Sequence, residues 1–462
     1  MSEPFFSTLF SRIRLKNFRC YEDSGNVPLR PLTIIVGPNN SGKSTLIDAL
    51  LLLKQTITEG SPAASPLITK GSDVDLGGYY DILRGGRSAK TTSFQIELES
   101  SYAGFEEGRL SPSDGDKSSK TSKGTLSLSV SFDFDKARSA PYVQSVRADH
   151  NQSPVVELFA KSQGGRPDKY DIGSVDPEIA PLLAAHLSSF LPYVHPVTDA
   201  PPPQEKLKQV LELTSLSTQV YAYWANMFAG IRFIAPLRDE IPRLGLVGQT
   251  TAQRRGRSGE ELLRMMSSKE EISPQGRTLE QEVDKWLAKK LKLARRVRLK
   301  RLGATDAGAS LLIDERKGFS NINAADMGQG ISQVLPVLAH VLGADYDDCV
   351  VIEQPEIHLH PSLQANLADL FVEKVVGGNA HQVIVETHSE HLLLRIRRRI
   401  ADGHIPAEKV VILYVDRQGA QSKVTQIDID KKGVLSEWPE GFFEEDFEEA
   451  YELSRAASRQ NP

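Results

Sequence analysis

One stretch, PLTIIVGPNNSGKSTLIDALLLLKQTI (31–57), limits what this chain can become more than any other. An apolar run, a glycine-bearing turn and a second apolar run at helical spacing read as a buried strand, a tight loop and a helix. Gly37 to Ser44 satisfies G-x-x-x-x-G-K-[ST] in full. Gly37 and Gly42 let the backbone curl until successive N–H groups and the helix N-terminus face an anion, with Asn39, Asn40, Ser41 and Thr45 completing the cradle. In such a loop Lys43 reaches the β- and γ-phosphates and the Ser44 hydroxyl ligates Mg²⁺. The competing reading is a glycine-rich strand-to-helix turn that binds nothing.

A strand–loop–helix unit needs neighbours, and the last third of the sequence offers them. SLLIDE, CVVIE, QVIVET and KVVILYV alternate with helical stretches, which argues for a parallel sheet covered by helices. Earlier, SRIRLKNFRCY (11–21), SFQIELE (93–99) and LSLSVSFDF (126–134) alternate as antiparallel strands do, with a polar loop at 106–124. Residues 150–300 differ: a helix is expected from Gln204 to Ala229, a strand at 231–236, a Gly/Arg-rich loop, and a helix around 278–292. We divide the chain into 1–150 and 301–430 as the two halves of one α/β head, 151–300 as a mainly helical insertion, and 431–462 as an acidic, aromatic extension. With 462 residues, two or three substructures are expected, and a net charge of −5 confines any nucleic-acid surface to a local patch. Cys20 and Cys349, the two cysteines, suit a reducing cytoplasm, and no apolar run reaches membrane-spanning length.

Three further segments carry chemistry. VVIEQPEIHLHP (350–361) places Glu353 at a strand's C-terminal end, where it can hold Mg²⁺. Glu356 is a candidate general base or, alternatively, a cap for the helix starting near Pro361. His358 and His360 alternate as in some metal sites, but histidines in a short loop without further ligands more often serve structure. In VETHSEHLL, His388 can sense a γ-phosphate or position water, or it only packs beside a helix that Ser389 caps. Gly328, Gln329, Gly330 and Ser332 open another helix, whose exposed N–H groups form a second anion site; an ordinary glycine-containing helix entry is the plain alternative.

GPNNSGKST, DMGQGISQ, VVIEQPEIHLHP and VETHSEHLL, in this order, resemble the ABC-type ATPase heads of the OLD/RecF/SMC class. The likeness is nearest to bacterial AAA-type ATPases of defence operons, including Septu systems, without a Toprim domain. IRLKNFRCY, FIAPLRDEIPR (233–243) and the tail from 427 to 447 are similar to segments of the same group. The resemblance implies an α/β fold: a P-loop ATPase head with a mixed sheet and an antiparallel β subdomain, plus the helical insertion. It implies ATP and Mg²⁺ as cofactors, bound in a head-to-tail dimer or higher oligomer between one copy's phosphate loop and the other's Gly328–Ser332. Lys43 and Ser44 match the Walker A pair, Glu353 the Walker B acid and His388 the switch histidine. Arg19 matches a basic residue near the nucleotide, and Gln55 is a weak match to a magnesium-sensing glutamine. Gln354 stands where these heads carry the catalytic glutamate, and a neutral amide cannot take a proton. The expectation is therefore a slowly hydrolysing cytoplasmic sensor ATPase of an anti-phage complex, controlling a nuclease or other effector on a separate chain. The alternatives are a RecF/SMC-like DNA-repair ATPase and a non-hydrolysing scaffold.

Lastly, 285–302 concentrates Lys and Arg and can contact DNA or RNA, or be a solvated basic face. RIRRRI (395–400) reads as a solvated helix face, and EGFFEEDFEEAYEL as an amphipathic docking helix.

Overall fold

The computed structural model describes residues 7–60, 66–106, 121–161, 170–173, 175–197, 202–246, 259–273, 275–302, 308–345, 347–377 and 382–437. In chain order, β1 (Ser7–Phe18), β2 (Tyr21–Asp23) and β3 (Val27–Pro28) precede β4 (Leu32–Val36), α1 (Lys43–Glu59) and a short α2 (Tyr79–Ile82). Then come β5 (Phe94–Glu106), β6 (Thr121–Asp135), β7 (Ala140–His150), β8 (Ser153–Ala160), β9 (Tyr170–Gly173), β10 (Leu183–Ser188) and β11 (Leu191–Pro196). The middle of the chain holds α3 (Gln204–Ala229), β12 (Ile231–Ile234), β13 (Gly245–Leu246), α4 (Gly259–Ser267), α5 (Leu279–Lys285), β14 (Arg296–Leu302), β15 (Gly308–Asp314) and β16 (Ile322–Asn323). The last elements are α6 (Gln329–Leu342), β17 (Cys349–Glu353), α7 (Pro361–Val376), β18 (Gln382–Glu386), α8 (Glu390–Ala401), β19 (Val410–Gln418) and β20 (Gln421–Ile427).

The central sheet has the order β12-β17-β18-β4-β19-β20, parallel up to β19 with β20 antiparallel at the edge. Its inner strands β17, β18 and β4 are predominantly apolar because both faces are covered, whereas the edge strand β20 is mostly polar. Leu32, Ile34, Val350, Ile352, Val383 and Val385 face a core shared with α4 to α8. The alternate residues Ile35, Val351, Ile384, Val411 and Leu413 face α1, α3 and the antiparallel sheet. That second sheet runs β2-β1-β5-β6-β7-β8-β9, with β3 also on β1. Gln382 fastens the two sheets: its buried amide accepts from the Phe10 N–H (3.0 Å) and donates to the Phe10 and Arg30 carbonyls (2.7 and 3.2 Å). The side chain thus stands in for a strand's own peptide group where regular pairing ends.

A third sheet, β13-β15-β14 with β16 on β15, corrects one expectation: SLLIDE is antiparallel here and not part of the parallel sheet. Its outer strand β14 is closed by α5, because Asp284 accepts from the Val297 N–H (2.6 Å) and Glu280 from that of Leu299 (2.8 Å). Residues 151–300, expected to be mainly helical, instead divide between strands and helices. β8 and β9 extend the antiparallel sheet, β10 and β11 form a hairpin, and α3 is the single long helix described there. The expected loop at 106–124 overlaps β6, and its portion 107–120, like the docking helix proposed for the tail, lies outside the described residues. No helix among the described residues is long and apolar enough to cross a membrane.

Candidate active site at the phosphate loop

The loop between β4 and α1 is built around two glycines that packing requires. Gly37 has φ 142°, and a Cβ there would lie 2.0 Å from the Val415 carbonyl oxygen. Gly42, the N-cap of α1, has φ 105°, and a Cβ would meet the Cys20 Sγ at 2.6 Å and the Ser422 Oγ at 2.8 Å. The Tyr21 hydroxyl donates to the Gly42 carbonyl at 3.1 Å, pinning the turn from β2. Asn39 and Asn40 are exposed at the crest, while Ser41, Lys43 and Thr45 are buried. The Lys43 ammonium donates to the Pro38 carbonyl (2.7 Å) and lies 4.0 Å from the Glu386 carboxylate. Burial lowers its pKa, and the negative charges of Glu386 and Glu356 oppose that shift.

Glu386 was not anticipated, and it sits at the centre. Its Oε2 accepts from the Ser44 hydroxyl at 2.8 Å. Register explains the meeting: Ile35, Glu386 and Glu353 pair across β4, β18 and β17. They therefore share the sheet face that α1 covers, at the strand ends where α/β sheets bind ligands. Burial raises the Glu386 carboxyl above the ordinary range, against the Ser44 hydrogen bond and Lys43. The rule that picked out Glu353, a carboxylate at a strand's C-terminal end, would have found Glu386 in VIVETH as well.

Glu356 is buried too, its Oε1 accepting from the His388 N–H at 2.6 Å. Burial raises its carboxyl, and the His388 amide pulls it back. His360, not Glu356, caps α7 through the Ser362 N–H. Gln354 adopts φ 44°, a conformation unusual outside glycine, and its N–H donates to the Glu386 carbonyl at 2.8 Å. On its other side stands Arg238, from the FIAPLRDEIPR segment. The Arg238 guanidinium donates to the carbonyls of Glu353 (3.2 Å), Gln354 (3.4 Å) and Gln333 (3.3 Å). His388 is half-buried, and burial together with Lys43 pushes its pKa down, favouring the neutral ring. Ser389 caps α8 by accepting from the Leu392 N–H, so the cap and the histidine have separate tasks.

A triphosphate with Mg²⁺ fits this donor set. Ser44, Glu386 and Glu353 offer the hard oxygen ligands that Mg²⁺ prefers. The buried Ser41 Oγ, Glu356 Oε2 and His388 Nε2 have no hydrogen-bond partner among the described residues. Buried polar atoms rarely stay unmatched, and these three belong to the loop and the two strand ends that border it.

Other expected residues lie elsewhere. Gly328, Gln329, Gly330 and Ser332 open α6, and no hydrogen bond among the described residues joins them to the phosphate loop. Of these, Gln329 and Ser332 border a cleft of about 250 Å³ together with Arg238, Gln333, Leu237 and His358. A Cβ on Gly328 would meet nothing within 4 Å, and one on Gly330 only ordinary contacts. Arg19, at φ 47°, pairs with Asp48 of α1, and burial pushes that carboxyl up to about 6. Gln55 donates to the Ile68 carbonyl (2.7 Å) and accepts from the Val74 N–H (3.0 Å), which ties it to the 68–74 segment. In the basic run, Lys285, Lys290, Arg295 and Arg298 pair with acids, and Arg301 donates to the Ser267 carbonyl. RIRRRI is not simply solvated, since Arg395 and Arg399 both grip Asp369 of α7.

Fold and site together define a phosphate-loop ATPase with a parallel core and an antiparallel lobe. The chain matches the family model described as AAA ATPase domain over residues 10–135 and 246–393, more than half its length, and belongs to that family. Residues 405–453 match a model described as a protein of unknown function, DUF3696. A 45-residue segment is 51% identical to an OLD nuclease of Thermus scotoductus, covering 10% of this chain and 8% of that protein. Among solved structures it is similar to an SMC head bound to the C-terminal winged-helix domain of ScpA (14% identity, TM-score 0.44, 91% and 98% of the two chains covered). An SMC head domain from Thermotoga maritima is similar at 12% identity and TM-score 0.40, over 91% and 99% of the chains.

Proposed function

We propose that this protein is a slowly hydrolysing, Mg²⁺-dependent ATPase whose complete site forms between two copies, and that it regulates a separate nuclease or other effector of a bacterial defence complex. The observation that carries the reading is the split of the site. Lys43, Ser44, Glu353, Glu386 and His388 converge at the loop, while Gly328 at the entry of α6 faces open space among the described residues. ATP supplies the transferable phosphoryl group and Mg²⁺ the charge that offsets its oxygens. In the chain itself, Lys43 neutralises phosphate charge, Ser44 with Glu353 and Glu386 holds the metal, and neutral His388 orients the attacking water by hydrogen bonding. Glu356 accepts the proton, the task that Gln354 cannot perform. The OLD nuclease likeness supports the effector assignment. Steady-state hydrolysis tests the reading: Glu356→Gln lowers kcat about a hundredfold, and Gln354→Glu raises it. Turnover at rates ordinary for such ATPases, unmoved by Gln354→Glu, overturns slow hydrolysis.

The neutral Gln354 amide also favours a second reading, a scaffold that holds ATP without turnover. Retained ATP binding with no Lys43-dependent phosphate release would establish it. A nucleic-acid contact through 285–302 would fall to the exposed Lys289, Lys292, Arg296 and Lys300. Co-purification with neighbouring gene products, with and without ATP, tests the effector.

A further inference from the structure

Arg238 carries a charge into the interior without a carboxylate bonded to it. It is 6% exposed, and its two terminal guanidinium nitrogens donate to main-chain carbonyls, Gln333 on α6 and Glu353 and Gln354 at the end of β17, while its buried Nε has no partner among the described residues. The link is reciprocal, because the Gln333 side-chain amide donates back to the Arg238 carbonyl at 3.2 Å. Burial of a cation against neutral carbonyls is unfavourable unless the geometry it enforces is needed. Here that geometry is unusual. Gln354 is held at φ 44° between two clamps, its N–H on the Glu386 carbonyl and its own carbonyl on Arg238. Strained backbone of this kind persists only where its surroundings over-determine it. The same turn carries Glu356, two residues on.

Resting on the two-copy ATPase reading above, we propose that Arg238 is a positioning residue that couples the first turns of α6, where a second copy's nucleotide would dock, to the Glu353–Glu356 turn that carries out hydrolysis. Among the described residues Arg238 has no hydrogen bond to the phosphate loop, to Ser44 or to Glu386, so it acts on the turnover step and not on ATP capture. A shift of α6 reaches Arg238 through Gln333 and reaches Gln354 through the guanidinium. A planar fork suits three carbonyls at once, which a single ammonium cannot match.

The test compares wild type with Arg238→Met, Arg238→Lys, Gln333→Met, the Arg238→Met/Gln333→Met pair and Lys43→Ala, measuring kcat, KM, ATP affinity by fluorescent-analogue titration and melting temperature. Arg238→Met is expected to lower kcat about tenfold with ATP affinity held within about threefold, Arg238→Lys to recover part of the loss, and Gln333→Met to lower kcat less. The double variant should be no slower than Arg238→Met alone, because the two side chains act as one unit. An unchanged kcat in Arg238→Met, equal losses in kcat and affinity, or additive effects of the pair would overturn the coupling while the ATPase reading stands. If wild-type turnover does not depend on Lys43, the ATPase reading fails and the coupling with it. Gln333→Met, half-buried and on a helix surface, keeps the test decisive should Arg238→Met fail to fold.

Discussion

The phosphate loop and the start of α6 are both glycine-bearing helix entries, yet the chain treats them oppositely. At the loop most groups are already answered from within: Lys43 by Pro38 and Glu386, Ser44 by Glu386, Gly42 by the close approach of Cys20 and Ser422. At α6 Gly328 meets open space, Gly330 has only ordinary contacts, and among the described residues Ser332 bonds to the Gln329 carbonyl of its own helix. Among the described residues, packing demands glycine at the first place and leaves Gly328 unconstrained at the second. Such asymmetry is what the proposed site shared between two copies would produce.

The largest effect that would break this comparison is at Lys43. Lys43→Ala should reduce phosphate release by about a hundredfold or more and weaken nucleotide binding, measured by coupled assay and titration. Glu386→Gln comes next: it should cut turnover by about a hundredfold and raise the Mg²⁺ concentration needed for half-activity, while melting temperature holds or rises because a buried carboxyl is neutralised. The glycines give the sharpest contrast. Gly42→Ala must relieve two close contacts at φ 105°, so it should destabilise the fold by about 1–3 kcal/mol in denaturant titration. Gly328→Ala should leave the fold unchanged and weaken only ATP-dependent self-association, read by light scattering. A Gly328→Ala protein that unfolds early would undo the distinction.

A further effect, confined to acid pH, is expected at Asp48. Burial raises its carboxyl from an ordinary 3.8 to about 6, so between those values the folded state holds the proton more tightly than the unfolded one. Its contribution is greatest below about pH 4 and is lost as pH rises through 6. Against wild type, Asp48→Asn should remove a decline of roughly 2–3 kcal/mol across that window, seen by denaturant titration at several pH values.

Strands buried on both faces were legible because continuous apolar runs bounded by turns have few other readings, and β4, β17, β18 and β19 all formed as expected. Partnership was less legible than existence. Local pattern does not say which sheet SLLIDE joins, and the 150–200 region hid its strands behind prolines and half-exposed alternation. Within the site, Lys43 and Ser44 followed from a motif with a backbone mechanism. Glu386 escaped because Thr387 and His388 drew the argument, although its strand-end position was visible. Arg238 could not be found from spacing, since what marks it is a set of carbonyls contributed by two distant segments.

The order of the central sheet has a consequence for how the chain is made. β4, complete by residue 36, is flanked by β18 from residue 382 and β19 from residue 410. At about 5–20 residues per second, a ribosome leaves that strand without either neighbour for on the order of tens of seconds. Throughout that interval α1 and its loop hang on an apolar strand with no sheet to enter. The nucleotide cradle is thus synthesised long before the strands that make it competent. A fragment ending before residue 382 would carry the whole motif and should neither fold nor bind ATP.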